Sequence, residues 1–111
     1  MANLSKSKYI TYCQCPKALW LKQYKSEEMV IDPLTQARFD AGTEVGELAK
    51  RLFGDFVEAT TYKTAADGTQ RLDLGAMAAA TQKALAEGAE NIAEAAFIYD
   101  GCYCAVDLLH K

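Results

Sequence analysis

Two strand-like segments end the chain and meet at a turn. Residues 91–99 and again 102–109 are strand-like segments, mostly apolar with isolated polar residues. Asp100-Gly101 stands between them, and this dipeptide is typical of a two-residue type I′ turn. The pattern predicts a β-hairpin in which the numbers of facing residues sum to 201.

Helical spacing of apolar residues, with capping residues at the ends, predicts four helices before the hairpin. They run from Ser5 or Ser7 to about Gln14, from Pro16 to about Lys25, from Asp32-Pro33 to about Phe53, and from Asp73 to about Glu87. A short strand is expected at 56–61, followed by a polar loop at 65–69. The pattern predicts an α/β chain, with residues 1–111 as a single domain.

The apolar faces of these helices predict where each one packs. Trp20 lies on the apolar face of the second helix and is expected in the core, with stacking on DNA as the alternative role. The longest helix has the broadest apolar stripe, made of Leu34, Ala37, Phe39, Ala41, Val45, Leu48, Ala49 and Leu52. The alanine-rich helix has a thin stripe of Met77, Ala80, Ala84 and Leu85. We therefore expect the longest helix to be central and the alanine-rich helix to lie on a surface.

Composition narrows the class of protein. The net charge is −3, so the whole chain lacks the basic signature of a nucleic-acid-binding protein. Five lysines lie in residues 1–25 with no acid among them, while the carboxylates follow. There is no apolar run near the ~20 residues that a membrane helix needs and no signal-peptide pattern at the start. A cytoplasmic protein that does not enter the membrane is the expectation.

The cysteines come as two C-x-C pairs, which is not the spacing typical of zinc knuckles. Disulfides are not expected in a reducing cytoplasm. In the hairpin, Cys102 and Cys104 fall on the strand face that also carries Ala93, Ala95, Phe97, Tyr99, Val106 and Leu108. That face is predicted to be apolar throughout, with the two thiols as small packing groups.

Two carboxylates and two glycines carry the candidate chemistry. The hairpin register places Glu94 opposite Asp107, and like charges facing each other destabilise a strand pair unless a cation bridges them. Such a pair suits Mg²⁺ or Mn²⁺ in phosphodiester hydrolysis, whereas at an exposed edge it would only repel weakly. Gly42 and Gly46 lie four apart on one helix face, which indicates either close packing on a strand or room for a metal or phosphate.

Several short motifs in this order resemble the N-terminal part of RecB-like nucleases of the PD-(D/E)XK superfamily. The nearest likeness is to an uncharacterised bacterial RecB-family domain, and a more distant one is to CRISPR-associated RecB-like exonucleases. The resemblance spans nearly the whole chain, and it is the shared order and spacing of the motifs that carries it. The matching segments are residues 4–9, 14–21, 39–49, 94–97 and 106–109.

The resemblance implies a restriction-endonuclease-like sheet and metal-dependent DNA hydrolysis. Asp107 matches a metal ligand of such families, and Glu94 matches a supporting acidic group. A histidine ligand common in the family falls at Gly46 and is absent, so Glu44 or Glu47 is the expected substitute. The family's Glu-x-Lys motif should lie on a further strand and does not occur in these residues. The chain is therefore expected to be a fragment, inactive on its own.

The CRISPR-associated relatives also hold an iron–sulfur cluster, with one cysteine near the N-terminus and three near the C-terminus. Cys15 resembles the early cysteine. No later trio is present, so the cluster is not expected in this chain alone, and a buried free Cys15 is predicted instead.

A non-catalytic interaction or assembly module is the competing interpretation. The missing histidine and the missing Glu-x-Lys motif both favour a degenerate nuclease fold. A terminal hairpin would also leave a sheet edge open to a strand from a second copy. DNA is the partner expected for the nuclease, and another copy of the chain is the partner expected for the module.

Overall fold

The computed structural model describes residues 4–111, which form a mixed α/β fold. The helices are α1 (Lys6–Gln14), α2 (Pro16–Tyr24), α3 (Pro33–Ala49) and α4 (Leu74–Ala86), with a 3₁₀ turn at Ser26–Glu28. The strands are β1 (Leu4–Ser5), β2 (Val57–Glu58), β3 (Tyr62–Thr64), β4 (Gln70–Leu72), β5 (Asn91–Tyr99) and β6 (Cys102–His110). Within residues 4–111, no helix has the length and apolar character needed to cross a membrane.

The main sheet is mixed, with the strand order β1-β6-β5-β2. Strands β5 and β6 are antiparallel, while β1 runs parallel to β6 and β2 runs parallel to β5. Strands β3 and β4 form a separate antiparallel hairpin, which the sequence pattern did not predict. The strand expected at 56–61 is shortened to two residues.

The predicted helix starts are confirmed by side chains that accept backbone hydrogen bonds. Ser5 Oγ accepts from the N–H of Lys8 at 3.2 Å, and the Asp32 and Asp73 carboxylates accept in the same way at 2.8 and 3.0 Å. These bonds satisfy first-turn donors that have no partner within the helix. The longest helix ends earlier than expected, and Gly54 follows with φ of +93°.

The hairpin turn and its register are confirmed. Asp100 and Gly101 have φ of 47° and 73°, as a type I′ turn requires at both central positions. Tyr99 pairs with Cys102 and Asn91 pairs with His110. The turn chemistry alone therefore specified the alignment of two nine-residue strands.

The core lies between α4 and β5, so the expectation that the alanine-rich helix lies on a surface is wrong. Met77 and Ala84 of α4 are buried, and Ala84 packs in one cluster with Ile92 and Ala95 of β5. Small side chains let the helix axis come close to the strand, which explains why a thin apolar stripe is enough.

A buried hydroxyl joins the helix to the strand. Thr81 Oγ1 accepts from the backbone N–H of Ala96 at 2.8 Å and donates to the carbonyl of Met77 at 2.9 Å. Thr81 is 1% exposed, so neither group has water as an alternative partner.

Helices α1, α2 and α3 bury no residue, which contradicts the predicted packing of Trp20 and of the long apolar stripe. The total accessible surface is 8604 Å², whereas a compact monomer of 12.2 kDa exposes about 6,100 Å². All four cysteines are free and exposed, so the predicted packing of the Cys102 pair and the predicted burial of Cys15 are also wrong.

Asn91 of β5 holds the segment after α3 against the sheet through side-chain hydrogen bonds. Its amide donates to the carbonyls of Phe53 and Asp55 at 3.1 and 2.9 Å, and its oxygen lies 2.7 Å from His110 Nδ1. The Phe53 and His110 rings stack with centroids 4.0 Å apart. These contacts fix the segment that follows α3 beside the last strand.

Replacing Thr81 with valine is expected to lower the free energy of unfolding by about 1–3 kcal/mol, because the buried Ala96 N–H loses its acceptor. Urea denaturation followed by circular dichroism measures the change. Thr81→Ser keeps the acceptor and is the matched control. A valine variant as stable as wild type, with the serine variant less stable, would contradict this role of the hydroxyl.

Candidate functional site

Glu94 and Asp107 hold opposed positions in the hairpin register, at an interruption of the ladder. Ala93 pairs with Leu108 on one side and Ala95 with Val106 on the other, and no pairing is made between them. Glu94 has a left-handed φ of 56°, which costs a residue other than glycine about 1–3 kcal/mol. The strand therefore keeps its register while holding one strained acidic residue.

This conformation changes the predicted alternation of faces. Ile92 and Ala95 are three residues apart, yet both belong to the core cluster, whereas strict alternation would put them on opposite faces. Ala96 is buried as well, while Phe97, predicted on the apolar face, is exposed. The predicted apolar face is therefore wrong, and the change of phase coincides with Glu94.

Glu94 and Asp107 line an open cavity of about 630 Å³ whose other side is α3. Gly42 and Gly46 belong to that lining, and a Cβ added at either would meet no atom within 4 Å. Close packing on a strand is thus not the reason for these glycines. They leave space beside the two carboxylates.

The two other predicted ligands have different positions. Glu47 lines the same cavity, whereas Glu44 is exposed and does not. The Glu47 carboxylate accepts from Lys50 Nζ at 2.8 Å. The structure therefore brings Glu47 near Glu94 and Asp107, with its carboxylate paired to Lys50. Glu44 lies outside the cavity.

Lys50 and Glu58 belong to this site and were missed from the sequence. Lys50 Nζ lies 3.0 Å from Glu58 as well as 2.8 Å from Glu47, and its side chain is 13% exposed. Hydrogen bonds to these two carboxylates raise the pKa of Lys50. The spacing of Glu47 and Lys50 on one helix was a signal for their pairing, but nothing in the sequence connects either with Glu58.

Glu58 is the most strongly hydrogen-bonded acid of the group. Burial raises the pKa of its carboxyl, but hydrogen bonds from Thr60 and Lys50 outweigh burial, and the net pKa is lowered. Glu58 pairs in the parallel ladder with Ala93, directly before Glu94. The β2–β5 pairing thus brings a fourth acid close to Glu94, Asp107 and Glu47.

Burial raises the pKa of Glu94, and the negative charge of Asp107 raises it further. Lys50 acts in the opposite direction without cancelling these effects. The ionised form of Glu94 is therefore unfavourable here, and a nearby cation would relieve the repulsion.

The donor set for a metal is small. Among residues 4–111, no group of three or more histidine, cysteine, aspartate or glutamate side chains is arranged to hold one ion. Glu47 and Glu58 are engaged by Lys50, so Glu94 and Asp107 are the carboxylates that a cation in this cavity would meet.

Replacing Glu94 with glutamine is expected to stabilise the protein at pH 7 by up to about 1 kcal/mol. The folded-state pKa of Glu94 is raised, so its charge destabilises the fold above that pKa. The difference in stability between E94Q and wild type should vanish as the pH falls below the ordinary pKa range of glutamate. Glu94 is then protonated in both the folded and the unfolded protein. Thermal unfolding from pH 4 to 8 measures this difference, with exposed Glu90→Gln as control. A less stable E94Q at pH 7 would contradict the repulsion.

No family model, curated protein or solved structure matches this chain at a significant level. The resemblance to RecB-like nucleases therefore stays a prediction from the sequence motifs.

Proposed function

We propose that this chain binds Mg²⁺ or Mn²⁺ through Glu94 and Asp107 as part of the catalytic site of a RecB-like, metal-dependent DNA nuclease. One observation carries the proposal: Glu94 and Asp107 hold opposed positions in the hairpin register and both line one open cavity. The mixed sheet supports a restriction-endonuclease-like core, since a parallel strand lies beside the antiparallel hairpin.

Glu94 and Asp107 suit a magnesium-type ion. Mg²⁺ is usually held by one or two protein carboxylates, with water and substrate phosphate as the remaining ligands. Asp107 would be the primary ligand and Glu94 its partner, with Glu47 close by and held by Lys50. Such an ion, when bound, neutralises charge on a phosphate and activates water.

The rest of the cavity is suited to an anion beside the cation. Arg38 lines it together with the acids, and the glycine face of α3 leaves it open. Positive side chains next to a carboxylate pair are the combination that a phosphodiester requires, because the phosphate must be attracted while the acids hold the metal.

The conformation of Glu94 gives independent support. Residues other than glycine in left-handed backbone conformations cluster at functional sites. Glu94 keeps φ of 56° in the middle of a nine-residue strand, although a glycine would avoid the strain. A role for its carboxylate explains why glutamate stands there.

The proposal assigns metal binding and phosphate placement to these residues. The resemblance places the remaining ligand and a lysine in a Glu-x-Lys motif that this sequence does not contain. The proposal therefore does not assign the complete hydrolytic step to these residues.

Isothermal titration calorimetry with Mn²⁺ at pH 7 tests the metal site. Asp107→Asn and Glu94→Gln are expected to weaken binding about tenfold or more, because each removes one of two ionic ligands. Glu44→Gln is the matched control and should bind like wild type. The affinity of wild type should fall as the pH is lowered through the raised pKa of Glu94, because protons then compete for it. Equal heats of Mn²⁺ binding for D107N and wild type would contradict the proposal.

A second candidate function is an assembly module, and the large accessible surface favours it. The chain exposes roughly 2,500 Å² more than a compact monomer of its mass, whereas a standard interface covers about 800 Å² per partner. In residues 4–111, β1 pairs with β6 only at Cys102 and Tyr103. The outer edge of β6 from Cys104 to His110 is thus open to another strand.

Sedimentation velocity across a hundredfold concentration range tests self-association. If copies join at this edge, a dimer should appear at micromolar concentration, and the outward amides of Cys104–His110 should then exchange with deuterium more slowly. The β3–β4 amides are the internal control and should not change. A monomer at every concentration would rule out this function.

A further inference from the structure

A groove between the first two helices combines exposed aromatic rings with positive charge. It has a volume of about 380 Å³ and shares no lining residue with the carboxylate cavity. Helix α1 contributes Lys8 and Tyr12, and α2 contributes Trp20 and Tyr24. The two residues of each pair are four apart, so they lie on the same side of their helix. The pair on α1 and the pair on α2 both line the groove between the helices.

The rings are open to solvent. Tyr12 is 54% exposed, Trp20 53% and Tyr24 67%. The Trp20 and Tyr24 centroids lie 5.6 Å apart, with ring planes tilted by 43°. Neighbouring aromatic faces of this kind can stack on planar groups of a ligand.

The charge around the groove contrasts with that of the rest of the chain. Residues 1–25 contain five lysines and no aspartate or glutamate. The remaining residues contain seven basic and fifteen acidic side chains. Lys8 lines the groove, and the exposed Lys17 of α2 stands three and seven residues before Trp20 and Tyr24, on the same side of the helix. Lys22 is also exposed but lines a separate pocket with Lys25. A polyanion would therefore be drawn to α1 and α2 and repelled from most of the remaining surface.

We propose that the α1–α2 groove binds single-stranded nucleic acid, with bases stacked on Trp20 and Tyr24 and the phosphate backbone beside the lysines. Non-specific single-strand binding combines these two elements, a basic track and aromatic platforms. A duplex keeps its bases stacked on each other, so it can use only the charge. The partner class rests on the proposed nuclease function, while binding at the groove needs neither metal nor hydrolysis.

A second copy of the chain fits this groove less well. A twofold dimer through the groove would place the same surface on both sides of the interface. The lysines of one copy would then face those of the other, and juxtaposed like charges oppose association.

Trp20 is the only tryptophan, so its fluorescence reports on the groove directly. Titration with a single-stranded oligothymidylate of about 15 nucleotides, in EDTA and 50 mM salt, is expected to quench it. Affinity should decrease as salt rises, because lysines that contact phosphates release counterions. A duplex of equal length should bind more weakly.

Variants locate the binding surface, with fluorescence anisotropy of a labelled oligonucleotide as the readout. Trp20→Ala and Tyr24→Ala are expected to weaken binding about 5- to 100-fold, as the loss of a stacking partner does. Tyr62→Ala is the matched control, because Tyr62 is 59% exposed on β3. Lys17→Gln should weaken binding and reduce its salt dependence, while Lys63→Gln should not.

A further variant separates this proposal from a folding defect, and EDTA separates it from the metal site. Trp20→Phe keeps an aromatic ring and should retain most of the binding, with an unchanged circular dichroism spectrum. Because oligonucleotide binding is measured in EDTA, it does not depend on Mn²⁺ binding at the carboxylate cavity. Equal binding by W20A and wild type would overturn the proposal. Equal affinity for the duplex and the single strand would also overturn it. A third contrary result would be a protein that binds no oligonucleotide and instead forms a dimer that W20A abolishes.

Discussion

The packing of α4 on β5 is the contact on which the rest of the structure depends. Met77 and Ala84 are buried at this interface, and the Thr81 hydroxyl accepts a hydrogen bond from the backbone N–H of Ala96 there. Because β5 is held in this way, it can pair with β6 on one side and with β2 on the other. The carboxylate cavity and the Asn91 contacts are then built on a strand that cannot shift.

The same contact explains how a strained residue persists within a strand. Buried alanines lie on both sides of Glu94, and Ala95 packs against α4. Sliding the strand to relieve φ at Glu94 would withdraw these side chains from the core, at a cost larger than that of one left-handed residue. Packing on one side of β5 thus holds an acidic side chain in the cavity beside α3.

Charge is divided between two regions of the molecule. The acids gather around Lys50 and the hairpin, where Glu58 and Glu94 have pKa values shifted in opposite directions. The first two helices carry lysines and exposed rings. A single strand held on the basic helices and a phosphate drawn to the cavity by a cation are two parts of one proposed activity, and each can be measured without the other.

The sequence by itself determined the features that act over a few residues: the caps at Ser5, Asp32 and Asp73, and the turn at Asp100-Gly101 with its register. Each is local because capping and turn geometry involve neighbouring backbone groups only. Only the tertiary structure decided that α4 is the core helix while α3 stays exposed, and that Lys50 joins Glu58 beside Glu94. Burial and charge pairing depend on segments far apart in the chain, and helical periodicity shows that a face is apolar without showing what covers it.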